Sequence, residues 1–195
     1  MQMVDGVRKN GWPYNLNGPS DRYPELRPRF NIPRDGKNWG EYPPVYPYFA
    51  APFLAYGGMP LVNRVNILLV AIVGIITHLV ARRVARCPRW GAAAGGLAAL
   101  ATPLWPGSVE TLAQPLMEAF CMGALLLALE TVRRRDGWTT RLLGLATGLL
   151  AGLGAESHLL GAPMALSLFA GLAWARWRRR GSFVSWAGPA AFAAF

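Results

Sequence analysis

The sequence predicts an all-α, polytopic membrane protein, and three observations carry that prediction. The chain has 195 residues, of which 53% are hydrophobic and 15% charged. An ordinary soluble domain is roughly 25% charged, so polar side chains are too few here to cover a soluble surface. From about residue 61 onward the chain is a succession of apolar runs with short connections. Finally, 12 of its 20 basic residues fall in three tight clusters between those runs. A formal charge of +10 raises the question of nucleic acid. The clustering excludes it, because no basic face is left to follow a phosphate backbone.

Residues 1–60 read as an extracytoplasmic loop with an interfacial segment. Ten of the 16 prolines and all six tyrosines lie there. Residues 42–56 (YPPVYPYFAAPFLAY) mix proline and aromatics too densely for a regular helix. Tyrosine suits the headgroup level, with the ring in lipid and the hydroxyl in water.

Residues 61–195 read as a membrane domain of about five complete spans plus the start of a sixth. Asn66–Ala81 is the first, beginning as early as Leu61, and Gly91–Trp105 the second. Gln114–Val132 is the third, Leu142–Ala155 a short fourth, His158–Trp174 the fifth, and Phe183–Phe195 opens the sixth. A span needs about 20 apolar residues for a ~30 Å hydrocarbon core. Gly91 and Gly95, then Gly144, Gly148 and Gly152, form G-x-x-x-G steps that allow close helix approach. Trp90, Trp138, Trp174 and Trp177 mark one set of helix ends and Trp105 the other, as aromatic belts do. Cys87 and Cys121 fall on a connection and inside a span, so no disulfide is expected.

The arginines orient the chain. Arg82, Arg83, Arg86 and Arg89 follow span one; Arg133, Arg134, Arg135 and Arg141 separate spans three and four; Arg176, Arg178, Arg179 and Arg180 follow span five. The intervening connections carry no Lys or Arg. By the positive-inside rule the basic connections are cytoplasmic and residues 1–60 lie opposite. Residues 1–10 (MQMVDGVRKN) hold no apolar segment to carry that head across. The expectation is therefore a fragment of a larger multi-pass protein, with a helix missing before Met1 and a sixth span cut short.

Ionisable groups in or near spans are costly and so become functional candidates. Glu110, Glu118, Glu156 and His158 map to the outer helix ends, on the same side as residues 1–60. Glu130 lies near the cytoplasmic end, where Arg133 or Arg134 at i+3 or i+4 is its expected partner. His78 is expected to be a packed histidine and Arg64 to reach the outer interface. A divalent metal on some of Glu41, Glu118, Glu156 and His158 is chemically acceptable, although no spacing matches a dedicated metal motif. No other cofactor is indicated.

Gly40-Glu41-Tyr42-Pro43-Pro44, followed by Ala51-Pro52-Phe53, resembles the Pro-Pro and Ala-Pro-Phe region of GT-C membrane glycosyltransferases. The nearest branches are family 39, the protein O-mannosyltransferases, and the lipid A aminoarabinose transferases. Residues 101–105 (ATPLW), 108–116 (SVETLAQPL) and the Gly-rich 148–155 (GLLAGLGA) resemble further stretches of these enzymes in the same order. The resemblance covers nearly the whole chain and implies part of a GT-C-type transmembrane helix bundle. It implies a transferase that moves a sugar from a polyprenyl-phosphate donor to an unidentified acceptor on the extracytoplasmic side. The expected setting is a bacterial inner membrane, with membrane lipids as partners and no nucleic acid.

The family's main catalytic acid would precede Met1, since alignment on Asn10-Gly11-Trp12 leaves Asp5 at the wrong offset. The chain by itself is accordingly expected to be inactive. Within it the resemblance leaves Glu41, Glu110 and Glu118 as catalytic candidates, and Tyr42, Tyr46, Gln114, Glu156 and His158 as substrate-binding ones. Departures from the family pattern are Tyr42, where the aminoarabinose branch has lysine, and Gln114, where many relatives have an acid. The alternative is a non-catalytic polytopic protein, either a transporter half or a lipid-binding subunit. A transporter favours an internal repeat, and no repeat relates spans one to three and four to six.

Overall fold

The computed structural model describes residues 14–16, 31–34, 37–40, 45–101, 113–134, 137–158 and 160–178. The expected sixth span and the Trp105 end of the second lie outside them. The chain divides into two compact units, Met1–Val65 and Asn66–Phe195.

The first unit contains a small antiparallel sheet that the sequence reading did not anticipate. Its strands are β1 (Tyr14–Leu16), β2 (Asn31–Arg34) and β3 (Lys37–Gly40), in the order β1-β3-β2. β2 and β3 pair from Asn31↔Gly40 to Arg34↔Lys37, which leaves the dipeptide Asp35-Gly36 between the last partners. Asp-Gly is a preferred sequence for two-residue hairpin connections. Pro33 has no N–H to give a ladder, and it occurs on an edge strand, where a missing donor is tolerated.

Helix α1 (Val45–Ala85) corrects the reading of residues 42–56 as non-helical from Val45 onward. Pro47 falls in the first turn, where a backbone N–H has no helical partner to lose. Pro52 removes one interior hydrogen bond. The helix is broken at Gly58 (φ 62°, ψ −161°), a conformation open to glycine and strained for other residues. Pro60 then sits in the first turn of the continuing segment, again at a position that needs no donor. A Gly-Pro break thus reconciles dense prolines with helical structure on either side.

Beyond the break, Val62, Asn66, Leu69, Val70 and Val73 form one buried face at helical spacing, while Leu68 and Ile75 are over 60% exposed. Helix α2 (Pro88–Leu100) starts with proline at its first turn and crosses α1 at backbone contact. A Cβ added to Gly95 would lie 2.6 Å from the Gly74 carbonyl oxygen. One added to Gly91 would lie 2.9 Å from the His78 carbonyl oxygen, so His78 is a packed residue of this crossing.

The remaining helices are α3 (Gln114–Arg133), α4 (Trp138–Ala155) and α5 (Gly161–Arg178), and each packs on the other two. Their shared core is made of small residues, Ala124, Ala151 and Ala165, with Leu150, Leu168 and Phe169 around it. Gly144, Gly148 and Gly152 are buried on α4, so the small-residue steps face inward. Thr131 and Thr147 are also buried, their hydroxyls donating to the Leu127 and Leu143 carbonyls one turn back. Two corrections to the segment boundaries follow. Helix α4 begins at Trp138, before the expected Leu142, and α5 begins at Gly161, which leaves His158 in a turn.

From Val45 the described chain is helical. Two helices, α1 and α3, are long and apolar enough to cross a membrane. Large apolar side chains face outward on several helices, Leu97, Leu100 and Leu166 among them, while alanine and glycine fill the interior.

Candidate functional site

The predicted site residues divide between the two units and the undescribed segments. Glu41, Tyr42 and Glu110 lie outside the described residues. Tyr46 belongs to the first unit, in the first turn of α1, and is buried rather than exposed at an interface. Gln114, Glu118, Glu156 and His158 all belong to the second unit, and the packing of α3, α4 and α5 brings them to one end of it.

Glycine sets that register. A Cβ on Gly154 would lie 2.7 Å from the Cys121 sulfur, so the last turn of α4 rests directly on α3 near its start. A Cβ on Gly161 would collide with the Gly154 carbonyl oxygen, so the first turn of α5 closes on the same point. Three helices therefore meet at Gly154. The 156–158 turn emerges at the level of the α3 segment that carries Gln114 and, one turn on, Glu118.

The turn is held by its own backbone. The Glu156 N–H donates to the Gly152 carbonyl (2.9 Å), that of Ser157 to Gly154 (3.2 Å), and that of Gly161 to His158 (2.8 Å). Ser157 is wholly buried, with its hydroxyl donating to the Leu153 carbonyl at 2.6 Å. The His158 Nδ1 accepts the Leu160 N–H at 3.2 Å, which places the hydrogen of the neutral ring on Nε2. Burial lowers the His158 pKa from its ordinary value, because desolvation disfavours the charged ring. Glu118 and Glu156 are half-buried, and among the described residues neither forms an ion pair with a cation.

Among the described residues no three His, Cys, Asp or Glu side chains converge as a metal site. The metal set considered from the sequence is therefore not assembled by Glu118, Glu156 and His158, and Glu41 lies outside the description. What the geometry does provide is an apolar cleft. A volume of about 460 Å³ opens between α3, α4 and α5, lined by Cys121, Met122, Ala151, Met164 and Ala165 among others. A second volume of about 300 Å³ continues it along α3 and α5 toward Val132 and Ala175, sharing Leu125, Ser167 and Leu168. The cleft starts at the level of Gly154 and runs away from the polar turn.

At the opposite end the structure overturns an expectation. Glu130 pairs with Arg83 of α1 rather than with its own neighbours, the Arg83 Nε lying 2.5 Å from its Oε1. Arg133 turns instead to donate from Nη2 to the Arg83 carbonyl at 2.8 Å. Sequence reasoning also missed Ser157 and the Gly154–Gly161 contact. The signal was present as a polar triplet, Glu156-Ser157-His158, bracketed by glycines.

No protein-family model, curated protein or solved structure matches the chain.

Proposed function

We propose that the chain is part of a multi-pass integral membrane glycosyltransferase of GT-C type. It moves a sugar from a polyprenyl-phosphate donor to an acceptor on the extracytoplasmic face of a bacterial inner membrane. One observation carries the reading: an apolar cleft along α3 and α5 starts at Cys121 and Pro163, within about a turn or two of Glu118 on α3 and of the 156–158 turn that rests on Cys121 through Gly154. An amphiphile with a long hydrocarbon tail and a sugar-phosphate head matches both parts. The outward-facing large apolar side chains and the apolar lengths of α1 and α3 support a lipid setting.

In this reading the hydrocarbon lies in the cleft, and Gln114, His158 and Glu156 bind the head by hydrogen bonds. Glu118 is a candidate base for the acceptor hydroxyl, with Glu41 and Glu110 as the other catalytic carboxylates. By the resemblance alone, Tyr42 and Tyr46 of the first unit are substrate-binding candidates. General-base action needs a carboxylate within reach of the proton that it removes. The test is photo-crosslinking of the chain in membranes with a polyprenyl phosphate that carries a photoreactive tail. Label should map to Met122, Met164 or Leu168 and be displaced by polyprenyl-phosphate sugar. Uniform labelling of lipid-facing residues, without displacement, overturns the reading. Sugar release that is lost on Glu41→Gln separates a transferase from a non-catalytic lipid-binding subunit.

A further inference from the structure

We infer that the arginine-bearing end of the second unit is a binding site for the phosphate of an anionic phospholipid headgroup. The inference uses neither the sugar-transfer reading nor the sidedness of the chain. It begins with the Arg83–Glu130 pair and the Arg133 hydrogen bond to the Arg83 carbonyl, which join the last turns of α1 and α3. Two arginine clusters far apart in sequence thereby become one surface. Glu130 neutralises only Arg83, while Arg82, Arg86, Arg89, Arg133, Arg134 and Arg141 remain exposed.

The helix ends add to this charge. Both α2 and α4 begin at this end, after the last turn of α1 with Arg82 and Arg83 and the last turn of α3 with Arg133. Neither has a side-chain cap on its first turn, since Cys87 and Gly137 make no such hydrogen bond, and neither has an acid in that turn. Their free N–H groups and positive dipole ends favour an anion. Asp136 is the one acid in the connection before α4. Trp90 and Trp138, in the opening turns of the same two helices, are 68% and 72% exposed. Exposed indoles at this level fit the headgroup region of a bilayer. Arginine forks, open helix N-termini and interfacial tryptophans together select a phosphate attached to lipid.

The experiment is native mass spectrometry of the full chain in detergent, titrated with phosphatidylglycerol, phosphatidylcholine or inorganic phosphate. Phosphatidylglycerol should be retained, phosphatidylcholine much less, and inorganic phosphate not at all. Combined Arg86→Gln, Arg133→Gln and Arg134→Gln should weaken phosphatidylglycerol retention about a hundredfold, at roughly fivefold per arginine. Arg22→Gln, Arg27→Gln and Arg29→Gln remove equal charge from the first unit and should leave retention unchanged. Equal loss in both triple variants means bulk attraction and overturns the site. Equal binding of both lipids, or of inorganic phosphate as well as phosphatidylglycerol, overturns the headgroup assignment. If the first variant does not fold, the native chain still decides, because retention must fall steeply with added salt. Salt-insensitive retention overturns the proposal.

Discussion

The two ends of the second unit handle acidic side chains in opposite ways. At one end Glu130 is clamped to Arg83 and surrounded by arginines. At the other, Glu118 and Glu156 sit half-buried with no cation paired to them among the described residues. The same helix, α3, carries Glu130 and Glu118 a few turns apart, so helix formation does not decide between these fates. Neighbours do. An acid at the arginine end joins two helices, whereas an acid at the glycine end stays available to a ligand. That difference gives Glu130 a structural role and leaves the acids at the opposite end without a cation among the described residues.

The largest effect should come from breaking the glycine end. Gly161→Ala drives a methyl into the Gly154 carbonyl, and because backbone meets backbone, the helices must separate. A loss of about 3 kcal/mol or more is expected from such overpacking, read as a collapse of thermal stability in detergent. Gly171→Ala on the same helix meets nothing within 4 Å. It should be neutral or stabilising by up to about 1 kcal/mol through helix propensity. Similar outcomes for the two variants would remove the three-helix junction from the account.

A smaller effect is expected at the arginine end. Glu130→Gln leaves the partly buried Arg83 without its counter-charge and should cost about 1 kcal/mol. A double-mutant cycle with Arg83→Gln should return a coupling of similar size. Zero coupling, together with coupling between Glu130 and Arg134, would restore the within-helix pairing that the sequence suggested.

The smallest effect is a pH dependence of the 156–161 turn. The folded His158 ring takes up its proton at a lower pH than the free ring, whose ordinary value is 6.5. Above that value both states are neutral and the group contributes nothing. As pH falls below it, the unfolded chain is protonated first, so stability declines with acid. Protonation also removes the acceptor for the Leu160 N–H. Hydrogen exchange at Leu160 and Gly161 should accelerate between about pH 7 and pH 5.5, beyond the intrinsic pH effect. His158→Gln should abolish that excess, and its persistence in the variant would assign it to another group.

Helical segments were readable because their signal is local. Runs of apolar residues from Asn66, Gln114 and Leu142 mark α1, α3 and α4, with proline in the first turn of α2 and α3. Proline was also where local reading failed. Its density over residues 42–56 argues against a regular helix, yet from Val45 the stretch is helical, because Pro47 and Pro60 fall in first turns and Pro52 alone is interior. The three short strands left no such signal: each is only three or four residues long, and Pro33 fits β2 only because that strand is an edge. Of the candidate site, the residue types and the helix-end positions of Glu118, Glu156 and His158 were legible, while Glu110, placed with them, lies outside the described residues. Their approach through Gly154 and Gly161, and the cleft beside them, were not.

The sequence by itself determined which stretches are apolar, where each helix can begin and where the arginines gather. These depend on neighbours within a few residues along the chain. Only the tertiary structure decided that Glu130 reaches Arg83, 47 positions away, and that Gly154 meets both Cys121 and Gly161. A glycine's value lies in what approaches it, and a carboxylate's role in which cation arrives first. Both are properties of helix crossings, which no periodicity along the chain encodes.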